Sequence, residues 1–291
     1  MSQIRYFFTA TRDKAYAASD RLELVFEDEG IPIAVLEVDE AADIHEVSVY
    51  AGNETRHDIQ AMIRDVLLEL GIDTQARTEE LPDIDWVSKS LEDLAPVHAG
   101  RFIVHGSHDR DKIKPGNIAI EIEAGQAFGT GHHGTTSGCL IMLDRIVQRE
   151  RPRKALDLGT GSAVLAIALA KRARIPVLAT DIDPVATKVA RENVRLNEVE
   201  RLVTCETAVG FRNRALIESK PFDLIIANIL ARPLMSLAPE MARHLSPGGS
   251  VILSGILSRQ RESVIAAYRN QGFRHVRTIW REGWVTIHMQ R

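Results

Sequence analysis

The feature that most constrains this chain is the stretch from Lys154 onward, where short buried apolar runs alternate with helical segments. Ala155–Leu158, Val177–Asp181, Val203–Glu206, Leu224–Ala227 and Ser250–Ser254 read as strands. Strands alternating with helices predict a doubly wound parallel sheet. The first strand runs into Gly159-Thr160-Gly161 and then into a helix. Glycines at such a turn let the backbone bend sharply and let a ligand approach it. In an open α/β sheet, ligands bind at the carboxyl ends of the strands.

The end of the chain breaks the rhythm. Phe273–Trp280 and Trp284–Gln290 read as two strands joined by Arg281-Glu282-Gly283. A parallel nucleotide-binding sheet that closes on a hairpin is similar to the class I methyltransferases that use S-adenosylmethionine (SAM). A dinucleotide site wants Gly-x-Gly-x-x-Gly, but the sixth position here is Val164. SAM has no pyrophosphate to seat on the helix, so it does not need that third glycine. The second strand ends at Asp181, where a carboxylate can accept both ribose hydroxyls. Asp183 precedes Pro184 and reads as the cap of the next helix. The fourth strand leads to Asn228, which either orients an amine with its side-chain amide or caps the helix that follows.

Ahead of this sheet lies Gly125-Gln-Ala-Phe-Gly-Thr-Gly-His-His-Gly-Thr-Thr-Ser137. A phosphate loop would want a lysine after the glycines, and none is present. His132 and His133 are adjacent and have no evident partners for a metal, so no metal is expected. The remaining reading is a lid over the cofactor, with hydroxyl and amide donors for its carboxylate.

The first 81 residues have their own pattern. Ile4–Thr9, Thr11–Phe26, Ile33–Val38, Glu46–Tyr50, Thr55–Leu70 and Thr74–Leu81 read as strand, helix, strand, strand, helix, strand. This is the order of a ferredoxin-like α+β domain, a fold that names no function by itself. Residues 82–100 read as a linker with a short helix at Trp86–Leu94, bracketed by Pro82 and Pro96. Arg101–His105 and Asn117–Glu123 read as strands leading into a second domain, 101–291. Charge is divided accordingly: residues 1–90 hold 8 Lys and Arg against 20 Asp and Glu, a net of −12, and the rest of the chain is +8. An acidic unit repels nucleic acid and attracts basic proteins. Two cysteines, Cys139 and Cys205, exclude a disulfide framework, and no apolar run is long enough for a membrane span. The start is no secretory signal, so the cytoplasm is the expected location.

Together these segments resemble the PrmA family, the ribosomal protein L-eleven methyltransferases, over essentially the whole chain. The lid Ala127-Phe-Gly-Thr-Gly-His-His-Gly-Thr-Thr136 is the most specific feature, and Asn228-Ile-Leu-Ala231 and Ser254-Gly-Ile-Leu257 agree with it. The resemblance implies an acidic N-terminal recognition domain over 1–81, a flexible linker and a catalytic domain. It implies methylation of lysine side chains and the N-terminal amine of ribosomal protein L-eleven. A monomer is expected, because the domains must swing about the linker to reach several amines, and neither membrane nor nucleic acid is needed. By position, the cofactor contacts fall on Thr136, Gly159, Gly161, Asp181 and Asn228, with Phe128, Thr130 and Gly131 from the lid, and Asn228 as the catalytic residue. Two positions depart from the pattern. Ala163 stands where a third glycine is frequent, which is tolerable if its dihedrals are helical. Gly134 stands where proline is common, which would make the lid more mobile. Three rivals stay open: a nucleic-acid methyltransferase, a small-molecule methyltransferase and a SAM-binding assembly protein without turnover.

Overall fold

The computed structural model describes residues 3–26, 31–39, 43–52, 56–81, 96–122 and 133–291. The chain divides into two compact units, Met1–Trp86 and Val87–Arg291.

Among the described residues, the first unit is a four-stranded antiparallel sheet with two helices. Its elements are β1 (Gln3–Thr11), α1 (Arg12–Val25), β2 (Ile33–Asp39), β3 (Ile44–Gly52), α2 (Arg56–Glu69) and β4 (Arg77–Leu81). Its sheet order is β2-β3-β1-β4, the ferredoxin-like order. Alternation sorts β1: Ile4, Tyr6, Phe8 and Ala10 are buried, in one core with Leu22 and Phe26 and with Ile59 and Ile63 of α2. The intervening Arg5 lies over the Phe7 ring and pairs with Glu46 and Glu79, its neighbours on the opposite face of the sheet.

The second unit opens with a small sheet of β5 (Val97–Ala99), β6 (Phe102–His105) and β7 (Ile118–Glu121). Val97–Ala99 falls in the stretch read as linker. It pairs antiparallel with β6, Val97 opposite Val104, because the flanking glycine at 100 turns the chain back with a φ of +62°. The expected helix at Trp86–Leu94 lies outside the described residues.

The large sheet has seven strands, β8 (Ala155–Leu158), β9 (Val177–Asp181), β10 (Val203–Thr207), β11 (Phe222–Asn228), β12 (Leu245–Leu257), β13 (Arg274–Arg281) and β14 (Trp284–Gln290). Their order is β10-β9-β8-β11-β12-β14-β13. The first five run parallel, and β14 is antiparallel to both β12 and β13. The crossover direction reverses between β8 and β11, the switch point at which such sheets hold ligands. Helices α3 (His133–Glu150), α4 (Val164–Ala173) and α5 (Pro184–Leu196) cover one face. Helices α6 (Arg214–Ser219), α7 (Ala231–His244) and α8 (Arg261–Arg269) cover the other. The strands are buried on both faces, so β8 reads as an uninterrupted buried run rather than an alternation.

Candidate functional site

Strand register brings the glycine turn, the acid and the asparagine together. Leu158 pairs with Thr180 on one side and with Ala227 on the other. The next residues, Gly159, Asp181 and Asn228, therefore stand side by side at the carboxyl edge of three neighbouring strands. The glycine turn is tied down by the end of β9: the N–H groups of Gly159 and Thr160 both donate to the Thr180 carbonyl, at 2.8 and 2.9 Å. Asp181 takes one backbone N–H on each oxygen, from Gly161 at 2.8 Å and from Asp183 at 3.0 Å. A carboxylate has about four lone-pair sites, so two remain for a diol. Asp183 caps α5 as expected, accepting from the Val185 N–H at 2.8 Å ahead of Pro184.

Gly159 and Gly161 hold φ values of +73° and +53°. A Cβ on Gly159 would lie 2.4 Å from Cγ2 of Ile229. Gly255, within β12, has a φ of +79°, and a Cβ there would lie 2.5 Å from the Ile229 carbonyl oxygen. The segment that follows Asn228 is thus wedged between two glycines, and its Ile229 N–H donates to the Ser254 carbonyl at 3.1 Å. Asn228 ends β11 and does not cap α7, whose N-cap is Leu230. Its amide approaches the Thr135 hydroxyl at 3.5 Å, the outer limit of a hydrogen bond.

The third-glycine position needs a correction. Ala163 is not in a right-handed helical conformation but in the left-handed region, with φ +66° and ψ +17°. The chain retains the glycine-like turn and bears the strain of a side chain in it. Because Ala163 has no side chain with which to cap α4, an acceptor must come from elsewhere. Asp157 supplies it. Its Oδ2 accepts from the Ala166 N–H at 3.1 Å and from the Thr160 hydroxyl at 2.6 Å. The side chain is 1% exposed, and burial pushes its carboxyl up to about 6. Its other oxygen, Oδ1, is buried and has no hydrogen-bond partner among the described residues. Asp157 was not singled out from sequence, although a carboxylate in an otherwise apolar buried strand is the signal that marks it.

Of the lid, Phe128, Thr130, Gly131 and His132 lie outside the described residues. Gly125, Gln126, Ala127 and Gly129 lie outside them too, and His133–Ser137 forms the start of α3. Thr135 is buried and faces Asn228, whereas Thr136 is half-buried beside it. Gly134 belongs to the first turn of α3, where a Cβ would lie 3.2 Å from the Glu282 carboxylate and 3.3 Å from the Arg281 carbonyl. The β13–β14 turn therefore fills the space that a side chain at 134 would need. Further along, a Cβ on Gly138 would lie 2.3 Å from the Thr286 hydroxyl. The described residues hold no cluster of His, Cys, Asp and Glu able to bind a metal, and no helix among them is long and apolar enough to cross a membrane.

The arrangement fits a nucleoside-bearing cofactor: a tight glycine turn at the sheet's carboxyl edge, a carboxylate with acceptor sites to spare, and an amide beyond it. Comparison with known proteins agrees. A family model described as "Ribosomal protein L11 methyltransferase (PrmA)" matches residues 9–291. A ribosomal protein L11 methyltransferase of Mesorhizobium japonicum is 62% identical over 290 residues, covering 100% of both chains. One from Chelativorans sp. is 60% identical over 291 residues, again covering 100% of both. The crystal structure of a ribosomal protein L11 methylase from Lactobacillus delbrueckii subsp. bulgaricus superposes with a TM-score of 0.61 at 28% identity, covering 68% of this chain and 99% of that one.

Proposed function

Since the chain belongs to the PrmA family of ribosomal protein L11 methyltransferases, we propose that it moves methyl groups from SAM to lysine side-chain and N-terminal amines of ribosomal protein L11. The observation that carries this reading is the register of β9, β8 and β11, which sets Asp181, Gly159 and Asn228 at one level. SAM, when bound, supplies a methyl group already activated on a sulfonium. Asp181 accepts the ribose hydroxyls, and Gly159 and Gly161 let the cofactor lie against the backbone. Phe128, Thr130, Gly131 and Thr136 are the remaining cofactor contacts in this reading.

The chain's remaining task is to present a neutral amine in line with the methyl carbon and away from water. A lysine with a pKa of about 10.4 is mostly protonated at neutral pH, and desolvation in a cleft lowers that value. Asn228 accepts an N–H of the amine at its side-chain oxygen and so aims the lone pair. No histidine or tyrosine is assigned as a base. The acidic first unit recruits the basic ribosomal protein, and the enzyme acts as a cytoplasmic monomer. Intact-mass spectrometry of purified ribosomal proteins incubated with the enzyme and SAM tests the reading. Whole methyl increments on L11 alone are expected. Increments on another component, or none despite tight SAM binding, would refute the substrate and leave the cofactor.

A further inference from the structure

The two edges of the first unit's sheet are unlike. β4 is short, and its described side chains, Arg77, Thr78, Glu79 and Glu80, are all exposed and polar. Charge at an edge keeps other strands from pairing with it. β2, Ile-Ala-Val-Leu-Glu-Val-Asp, is longer and apolar on both faces. Ile33 and Val35 turn toward the core. Ala34, Leu36 and Val38 do not: Leu36 is 64% exposed and Val38 49%. β2 pairs only with β3 in the sheet, leaving its outer hydrogen-bonding edge open among the described residues. Protection on β2 is confined to its end, where Glu37 and Asp39 flank a register shift, and the Ile33–Leu36 stretch carries no charge. Exposed apolar side chains on such an edge are what a sheet shows where another strand is meant to add.

Charge decides what that strand belongs to. Residues 1–90 carry a net of −12, so a second copy of this unit would bring like charge against like. A basic segment would gain from the same field. Next to Leu36 in the sheet stands Glu46, and beyond it Arg5 is already held by Glu46 and Glu79. Cationic side chains on an added strand therefore meet an acidic surface, while its apolar ones cover Leu36 and Val38.

We propose that β2 is the docking edge for the protein substrate, which adds an extended basic segment as a fifth strand beside Ile33–Asp39. The proposal rests on the reading of L11 as substrate and says how the acidic unit grips it. It gives the two exposed apolar side chains a purpose that the fold does not require of them.

Hydrogen–deuterium exchange of the full-length enzyme with and without L11 reads the edge directly. The amides of β2 should gain protection in the complex, and those of β4 should not. In parallel, Leu36→Lys and Val38→Lys place gatekeeper charges on exposed positions that the core does not use. Each should raise KM for L11 roughly tenfold while leaving kcat and SAM affinity unchanged. Protection elsewhere on the unit, or variants that keep the parent KM, would overturn the docking edge while the enzyme still methylates L11. Wild-type enzyme that neither binds nor methylates L11 would remove the functional reading, and the proposed occupant with it. A concentration-dependent dimer that either lysine variant dissolves would overturn the proposal in favour of a second copy.

Discussion

Ile229 is clamped by Gly159 through its side chain and by Gly255 through its backbone, and a mutant cycle can tell the two apart. At Gly159, a Cβ would sit 2.4 Å from Ile229 Cγ2 and 3.9 Å from its Cβ. The clash in Gly159→Ala is therefore with atoms that Ile229→Ala removes, leaving ordinary contact. At Gly255, the added Cβ would sit 2.5 Å from the Ile229 carbonyl oxygen and 2.8 Å from its carbon, which no side-chain substitution removes. Both glycines also have φ near +75°, a conformation that costs an L-residue roughly 1–2 kcal/mol. Overpacking adds roughly 1–3 kcal/mol. Gly159→Ala should thus cost about 2–5 kcal/mol in the parent but only the strain of about 1–2 kcal/mol in the Ile229→Ala background. Gly255→Ala should cost the same in both. Native-state hydrogen exchange of the buried β8 amides reads the second unit alone. A coupling energy for Gly159 with Ile229 within about 0.5 kcal/mol of zero would refute the side-chain wedge. Equal rescue of Gly255→Ala would refute the backbone one.

Four further outcomes are expected. Asp181→Ala should weaken SAM binding by roughly 10- to 100-fold, the worth of hydrogen bonds to a charged acceptor; unchanged affinity by calorimetry would deny it the ribose. Asn228→Ala should lower kcat by roughly 100-fold with little change in SAM affinity; equal losses in both would end its orienting role. Asp157 has a folded-state pKa raised to about 6 from 3.8, so its contribution to stability is present in full below 3.8 and lost as pH rises through about 6. Asp157→Asn should remove that slope in melts across the window. His288, buried and beside Arg274, His275 and Arg277, is lowered to about 4 from 6.5. Its contribution is present above 6.5 and lost as pH falls through about 4, so His288→Gln should flatten the acid side of the same profile.

Much of the architecture is legible because its determinants are local. The spans of β8 and β9 follow from apolar runs that end at Gly159 and Asp181, and that of β14 from one that starts after the Glu282-Gly283 turn. The cap at Asp183 follows from a side chain two residues before the N–H it serves. Features set by distant partners were not legible. Ala163 was expected to be acceptable if helical, but nothing local announces its left-handed turn, since the compensating acceptor, Asp157, is six residues back on the preceding strand. The approach of Thr135 to Asn228 likewise depends on the packing of α3 on β14, with Gly138 against Thr286, which sets the helix rotation. Val97–Ala99 is too short for its periodicity to distinguish it from a linker, and only β6 makes it a strand.

The site's frame and its reacting edge are consequently built from different kinds of contact. Gly159, Thr160, Gly161 and Asp181 are joined by backbone donors to the end of β9, and the Asn228 loop is joined by its backbone to Ser254. These bonds belong to the fold, so on the proposed reading a change in them alters stability and cofactor affinity together. Among the described residues, the Asn228 side chain holds no such bond beyond a 3.5 Å approach to Thr135. A side chain with that freedom can exchange the threonine for a substrate amine at little cost to the fold. On the proposed reading, several differently placed amines can then be accepted in turn, their alignment resting on one adaptable amide beside a fixed backbone frame.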